Sequence, residues 1–232
     1  MLCKTTNTTF DRIIKFIKPV SQEVTINFDY DNVYVETIDQ GNVMFIKMKY
    51  RHDIECDEQS TAIIQHEQIE KFIKGKKEAP VSIEIDGKVL VKLGRKKLSL
   101  PKLVDTSRPR SVPNIPYDAV VSIGASEFVE AIKDVGLVGQ VICFELKDRN
   151  LILSAKNDNE ESYEFEFSIV NIKSYDDCKS YFSYDYLKDI ASAVSGCDTL
   201  IISMGDNKPI NIGIDDDDVE LEYILANRMV ND

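Results

Sequence analysis

Residues 101–117, PKLVDTSRPRSVPNIPY, decide how the rest of the chain divides. Four prolines interspersed with Ser, Asp, Asn and two Arg deny this stretch both helix and sheet, because proline lacks a backbone donor and holds its predecessor extended. It reads as a connector, and the segments on its two sides read as the same pattern twice. Sliding the chain by 118 residues places Phe10 on Phe128, Ile14 on Ile132, Lys15 on Lys133, Val20 on Val138, Gln22 on Gln140 and Asn32 on Asn150. The same shift lays Ile69 on Leu187 and Phe72 on Ile190, so one offset spans two separate helical patterns. The expected organisation is a domain over 1–104, a connecting loop over 105–116 and a second, similar domain over 117–232.

Bulk properties narrow the class. The 232 residues suit two domains that each bury a core, and no apolar run approaches the roughly 20 residues of a membrane span. The opening residues MLCKTTNTTF have neither a basic region nor an apolar core, so no signal peptide is read and an intracellular protein is expected. Five cysteines, an odd number with no CxxC, suit a reducing compartment and argue against a disulfide framework. A net charge of −12 argues against whole-surface adhesion to nucleic acid, so any such contact has to be local.

Taken in order, residues 9–18 (TFDRIIKFIK) set Phe10, Ile13, Ile14 and Ile17 at helical spacing, with Arg12, Lys15 and Lys18 opposite and Pro19 as the stop. Strand patterns follow at 24–28, 32–38 and 43–50, and a second basic helix is expected over 64–74. Two strands then meet at the Asp86-Gly87 hairpin signal, and KKLSL leads into the connector. Beyond it the order repeats: strand 119–123, helix 125–135, strands at 141–146, 150–155 and 162–169, helix 184–194, and strands at 199–204, 210–214 and 220–225. Helices so short cannot make a bundle. The expected fold is α+β, antiparallel sheets with two helices per domain on one face, all four helices sharing one side. Basic residues on that side in the first half, with the acidic ones expected in loops and turns, describe an acidic protein that admits DNA at one surface only.

At this point the residues carry a resemblance. Residues 181–229 resemble the proliferating cell nuclear antigen (PCNA) family of sliding clamps through the helix start YFSYDYL, the turn GDNKPI at 205–210 and the last strand YILANRM at 223–229. Ile38, Asp39 and Val43 are similar to a strand-turn-strand motif of the family, and LSLPKLVD looks like the strand entering its connecting loop. The resemblance implies a closed ring of three subunits and six domains that encircles duplex DNA without sequence preference. It implies tethering of DNA polymerase, flap endonuclease and DNA ligase through a short peptide motif, loading by an ATPase, and no cofactor, metal or membrane. DNA-facing residues by resemblance are Arg12, Lys15, Lys18, Lys71, Lys74, Lys76, Lys77, Lys133 and Lys188. The partner-peptide pocket by resemblance is Ile38, Val43, Val112, Pro113, Tyr117, Pro209, Ile224 and Ala226, and subunit contacts pair 96–103 of one chain with 162–169 of the next. Glu130, Ile224 and Asn227 depart from the family pattern. Localisation follows as intracellular and DNA-associated, in the cytoplasm of a prokaryote or viral host, or in a nucleus.

Other readings are weaker. His52, Asp53, Glu55 and Cys56 match no metal spacing and read as a solvated loop. Asp215, Asp216, Asp217 and Asp218 lack the glycine and spacing of a calcium loop. No glycine-rich phosphate cradle is present, and His66 has no acid or nucleophile motif near it. The expectation is therefore a non-enzymatic clamp. A subunit of a heterotrimeric or specialised clamp is the first alternative, and an acidic two-domain hydrolase or nucleotide-binding enzyme the second.

Overall fold

The computed structural model describes residues 1–75, 77–103 and 114–230. Contacts divide the chain into two units, one of Met1–Gln40, Ile46–Ser111 and Asp215–Leu221, the other of Gly41–Phe45, Val112–Ile214 and Glu222–Asp232. Up to residue 103 the elements are β1 (Leu2–Thr6), α1 (Asn7–Ile17), β2 (Glu23–Phe28), β3 (Val33–Ile38), β4 (Met44–Tyr50), β5 (Glu55–Cys56), β6 (Ser60–Gln65), α2 (His66–Ile73), β7 (Pro80–Ile85), β8 (Lys88–Leu93) and β9 (Lys96–Pro101). From residue 114 they are β10 (Ala119–Gly124), α3 (Ala125–Val135), β11 (Val141–Lys147), β12 (Asn150–Lys156), β13 (Ser162–Glu166), β14 (Ile169–Ser174), β15 (Cys178–Ser183), α4 (Tyr184–Val194), β16 (Thr199–Met204), β17 (Ile210–Asp215) and β18 (Val219–Leu225). A shift of 118 carries α1 onto α3 and β6 onto β15 residue for residue.

In the first unit the antiparallel order is β5-β1-β7-β8-β9, and β4-β3-β2-β6 lie side by side in that order. α1 packs on α2 and on β1. Thr6 starts α1 by accepting from Thr9 N at 3.2 Å, a cap worth about 1 kcal/mol. Phe10, Ile13, Ile14, Phe16 and Ile17 then fall on one side and are buried to 1% exposure or less. At about 2 kcal/mol for each such side chain, that face contributes on the order of 10 kcal/mol and outweighs any propensity term. The second unit repeats the plan. β13-β12-β11-β15 form one sheet, β14-β10-β16-β17-β18 are neighbours in another, and α3 packs on α4 and on β10, β12 and β13. The Asp86-Gly87 hairpin is present, with Gly87 at φ +63°, a conformation that glycine adopts without a Cβ penalty.

Four expectations need correction. Residues 64 and 65 are not helical: Ala62 and Ile64 alternate into the core of β6, and α2 begins only at His66, whose N–H donates to Gln22 O. The strand expected over 162–169 ends at Glu166, because Phe167 turns inward with its N–H on Leu151 O and Ile169 starts β14 in a different sheet. β1, β5, β6, β14 and β15 were not anticipated as strands; LCKTT and the two-residue β5 are short, and CKSYFS runs directly into α4. Finally, Cys3 and Cys56 form a disulfide. The antiparallel β1-β5 register sets Cys3 opposite Cys56, a pairing that a sequence separation of 53 does not display.

Candidate functional site

In the first unit the side chains of α1 that escape burial are Thr8, Asp11, Arg12 and Lys15, followed by Lys18 at its C-terminal cap. Arg12 stacks its guanidinium over the rings of Phe16 (5.5 Å) and Tyr50 (5.8 Å), so its charge is presented on an aromatic support. Lys18 is paired with Glu70 at 3.0 Å and Lys71 with Glu67 one helical turn away. Exposed pairs like these are worth about 1 kcal/mol or less, so either lysine can exchange its carboxylate for a phosphate at small cost. Lys74 and Lys77 are exposed, and Lys76 lies outside the described residues. In the second unit Lys133 and Lys188 are exposed, but so are Glu130, Asp185 and Asp189 on the same two helices. The exposed face of α3 and α4 is thus mixed in sign, whereas that of α1 and its following turn carries Arg12, Lys15 and Lys18 against the single acid Asp11.

The half-buried Pro209, Ile224, Ala226, Val43 and Tyr117 belong to the second unit, Ile38 belongs to the first, and Val112 and Pro113 lie outside the described residues. A knot of polar bonds sets the second-unit group. Ser180, fully buried, donates its hydroxyl to Gly205 O at 2.8 Å and accepts from Lys208 N at 3.1 Å. Lys208 Nζ donates to Pro116 O at 2.8 Å and pairs with Asp118 at 2.6 Å, while the other Asp118 oxygen accepts from Asp206 N. Those contacts, Lys208 first, hold the Asp118 carboxyl below its usual range. Gly205 is required here, since a Cβ would fall 2.5 Å from Asp118 Oδ2. The knot fixes the turn that presents Pro209 beside the start of β10. At the far end of β18, Ala226 N donates to Val43 O at 2.8 Å and Arg228 N to Tyr181 O at 2.7 Å, which brings Val43 and Ala226 together.

Two polar residues of the second unit, Asn211 and Glu222, were not anticipated. Along β18, Tyr223 is wholly buried while its neighbours Glu222 and Ile224 face the other way, with Glu222 exposed. Asn211 of β17 shares that side and donates to Glu222 Oε1 at 3.4 Å. The Tyr117 hydroxyl and Asn211 Oδ1 are both buried without a hydrogen-bond partner. Burial, with the Glu222 charge as a lesser cause, pushes the Tyr117 phenol up to about 12. In sequence, Asn211 is one polar residue in an apolar strand, INIGI, and that exception was the available signal.

His52 does not meet Glu55 or Cys56 in a cluster; it lies between Asp53 (3.1 Å) and Asp218 (3.4 Å). Among the described residues no group of three or more His, Cys, Asp or Glu side chains is placed to hold a metal ion. No helix among them is long and apolar enough to cross a membrane.

Comparison with known proteins agrees with the fold. Residues 111–228, just over half of the chain, match the family described as proliferating cell nuclear antigen, C-terminal domain. The DNA polymerase sliding clamp of Methanococcus maripaludis is 26% identical over 95% of both chains, and that of Archaeoglobus fulgidus 25% identical over 94% of both. Among solved structures, A. fulgidus PCNA bound to the C-terminal region of FEN-1 superposes with a TM-score of 0.87 at 21% identity over all of both chains. A Sulfolobus tokodaii PCNA2-PCNA3 complex gives 0.87 at 18% identity, covering 98% of this chain and 99% of that one. A repeated unit of two helices and two antiparallel sheets, matched over nearly full length by such relatives, defines a DNA sliding clamp. The chain belongs to the proliferating cell nuclear antigen family.

Proposed function

We propose that three copies of this chain close into a ring around duplex DNA, with α1 to α4 toward the duplex. In this reading 1–104 and 117–232 are the two domains of each copy and 105–116 is the connecting loop. The observation that carries the reading is the doubled helix pair: each unit sets two helices together, and in the first unit they present Arg12, Lys15, Lys18 and Lys71 alongside Asp11, Glu67 and Glu70, with Lys74 and Lys77 following just past α2. Lys76, Lys133 and Lys188 complete the DNA-facing set. Topological linkage supplies persistence, so the phosphate contacts need to be few and weak. Each strong one would retain counterion-release free energy and slow the ring along the helix. Lysines already shared with Glu67 and Glu70 suit that requirement.

Two sheet edges support self-assembly. β9 ends the first unit's five-stranded order and β13 ends the second unit's four-stranded order, so each has an unpaired side among the described residues. β9 carries exposed Lys96 and Lys97 and β13 exposed Glu164 and Glu166, complementary for head-to-tail pairing between copies. The groove of Ile38, Val43, Val112, Pro113, Tyr117, Pro209, Ile224 and Ala226 takes an extended peptide from DNA polymerase, flap endonuclease, DNA ligase or the loader ATPase. The protein acts as a tether without catalysis of its own, inside the cell and on DNA. The test is polymerase synthesis on a primed circle and on a linear template with free ends, each with loader and ATP. Longer products on the circle alone are expected; equal stimulation on both would contradict a topological tether.

A further inference from the structure

We propose that Cys3 and Cys56 form a reversible redox clasp: oxidised, it closes residues 51–58 onto β1 and steadies the turn before β18; reduced, it releases both. The bond joins β1 to β5, the outermost strand of the order β5-β1-β7-β8-β9. β5 has only two residues, which pair Cys56 with Cys3 and Glu55 with Lys4, so its pairing alone is weak. Three backbone contacts support that end: Cys56 N to Tyr30 O at 2.8 Å, Asp57 N to Leu2 O at 3.0 Å, and Leu2 N to Asp57 Oδ1 at 2.7 Å. The other end grips the turn before β18. Arg51 N donates to Asp218 O at 2.8 Å, the Arg51 guanidinium pairs with Glu220, and His52 lies 3.4 Å from Asp218. All of these residues belong to the first unit. Between the two ends only Ile54 is buried, so cutting the covalent tie leaves 51–58 with a single apolar anchor, the mark of a segment that opens locally.

Cys3 is fully buried and Cys56 nearly so, and exchange therefore waits on the opening of β5, which a two-residue edge strand permits. A thiolate of a small dithiol then attacks Cys56 Sγ, and the Cys3 sulfur leaves as a thiolate and takes a proton. The second thiolate of the dithiol displaces Cys56 from the mixed disulfide. Two electrons thus pass to the cysteine pair while the dithiol becomes a disulfide, and a small-molecule disulfide runs the same steps backward. Under cellular thiol pools such a bond is conditional, which makes the pair a sensor of them. Cys143 and Cys178 do not compete. They are buried free thiols that burial pushes up, Cys178 to about 11, and so carry little thiolate.

The experiment equilibrates full-length protein with oxidised or reduced glutathione and reads each sample by non-reducing peptide mapping and by hydrogen exchange. Mapping should find Cys3 joined to Cys56 in the oxidised sample and both open to alkylation in the reduced one. Amides of 51–58 should exchange at least about tenfold faster after reduction, those of 216–221 should follow by a smaller factor, and β7 to β9 should hold their rates. Reoxidation should restore the slow rates, and Cys56→Ser should exchange like the reduced wild type in both buffers. If that variant does not fold, the reversible wild-type change alone decides. Cys3 and Cys56 alkylated in both buffers, or joined with exchange unchanged by reduction, overturns the inference. Faster exchange in 51–58 with 216–221 unmoved overturns the coupling to β18, and a uniform rise across the first unit overturns a local clasp. None of these readings involves DNA, a loader or a second subunit, so they stand or fall apart from the ring.

Discussion

His66 illustrates how one side chain couples the fold to solution conditions. It is buried at the start of α2, its Nε2 sits 2.9 Å from Ser21 O, and Nδ1 has no partner among the described residues, so the tautomer is Nε2–H. A second proton would add a buried donor with nothing to receive it. Burial accordingly lowers the pKa from its ordinary 6.5, and the nearby Lys18 charge acts in the same direction. The unfolded chain takes up this proton near 6.5 and the folded chain only at lower pH, so between them the unfolded state holds more protons. This contribution to stability is complete above 6.5 and is lost as pH falls below it. Urea midpoints at pH 7.5 and 5.5 should differ, and the difference should shrink in His66→Gln; an unchanged difference would assign it to other groups. Gly205 makes a steric prediction. Gly205→Ala drives a methyl against Asp118 Oδ2 and the Lys208 stem, and should destabilise the protein by about 1–3 kcal/mol, read from thermal unfolding. None of this was legible in sequence. His66 was read only as lacking a catalytic neighbour, and the contacts of Asp118 with Lys208 and Asp206 span about ninety positions that no periodicity connects.

Among the elements, legibility followed amphipathic strength. α3 and α4 were bounded correctly because their apolar spacing is strict, and α1 to within two residues at its start. α2 was overextended because Ile63 and Ile64 continue an apolar pattern that is compatible with either helix or strand. The structure also ranks the helices. α1 buries five large apolar side chains, whereas α2 buries Ile69, Ile73 and His66 and leaves Phe72 partly open. Hydrogen exchange should therefore be faster along α2 than along α1; the reverse order would mean that the buried faces do not set local stability. The disulfide ties β1 to the two-residue β5. By loop-closure entropy its loss in Cys3→Ser should cost at most about 4 kcal/mol, detectable as a lower urea midpoint under oxidising conditions and no difference under reduction. A Cys3→Ser protein as stable as wild type in oxidising buffer would show that β1-β5 pairing alone holds that corner.

For the whole molecule, the duplication was the most legible feature and the assembly the least. Equal shifts at Phe10, Ile14 and Ile69 could be read from the letters, but which strands end a sheet depends on pairings that only the fold reveals. With β9 basic and β13 acidic, association should weaken with salt, since exposed pairs are screened beyond roughly 10 Å at 0.1 M. Solution mass at low salt is expected at three times 26.3 kDa, shifting toward the single chain in high salt or in a Lys96→Glu, Lys97→Glu double variant. A chain that stays single until a different subunit is added would instead favour a heteromeric clamp. The most direct measurement of the central claim is retention on DNA by topology. Protein loaded by a clamp-loader ATPase onto a nicked circular plasmid is isolated by gel filtration, and the plasmid is then cut once with a restriction enzyme. The account predicts co-elution with the intact circle and release on linearisation; equal retention on both forms would mean that the protein holds DNA by contact and not by encircling it.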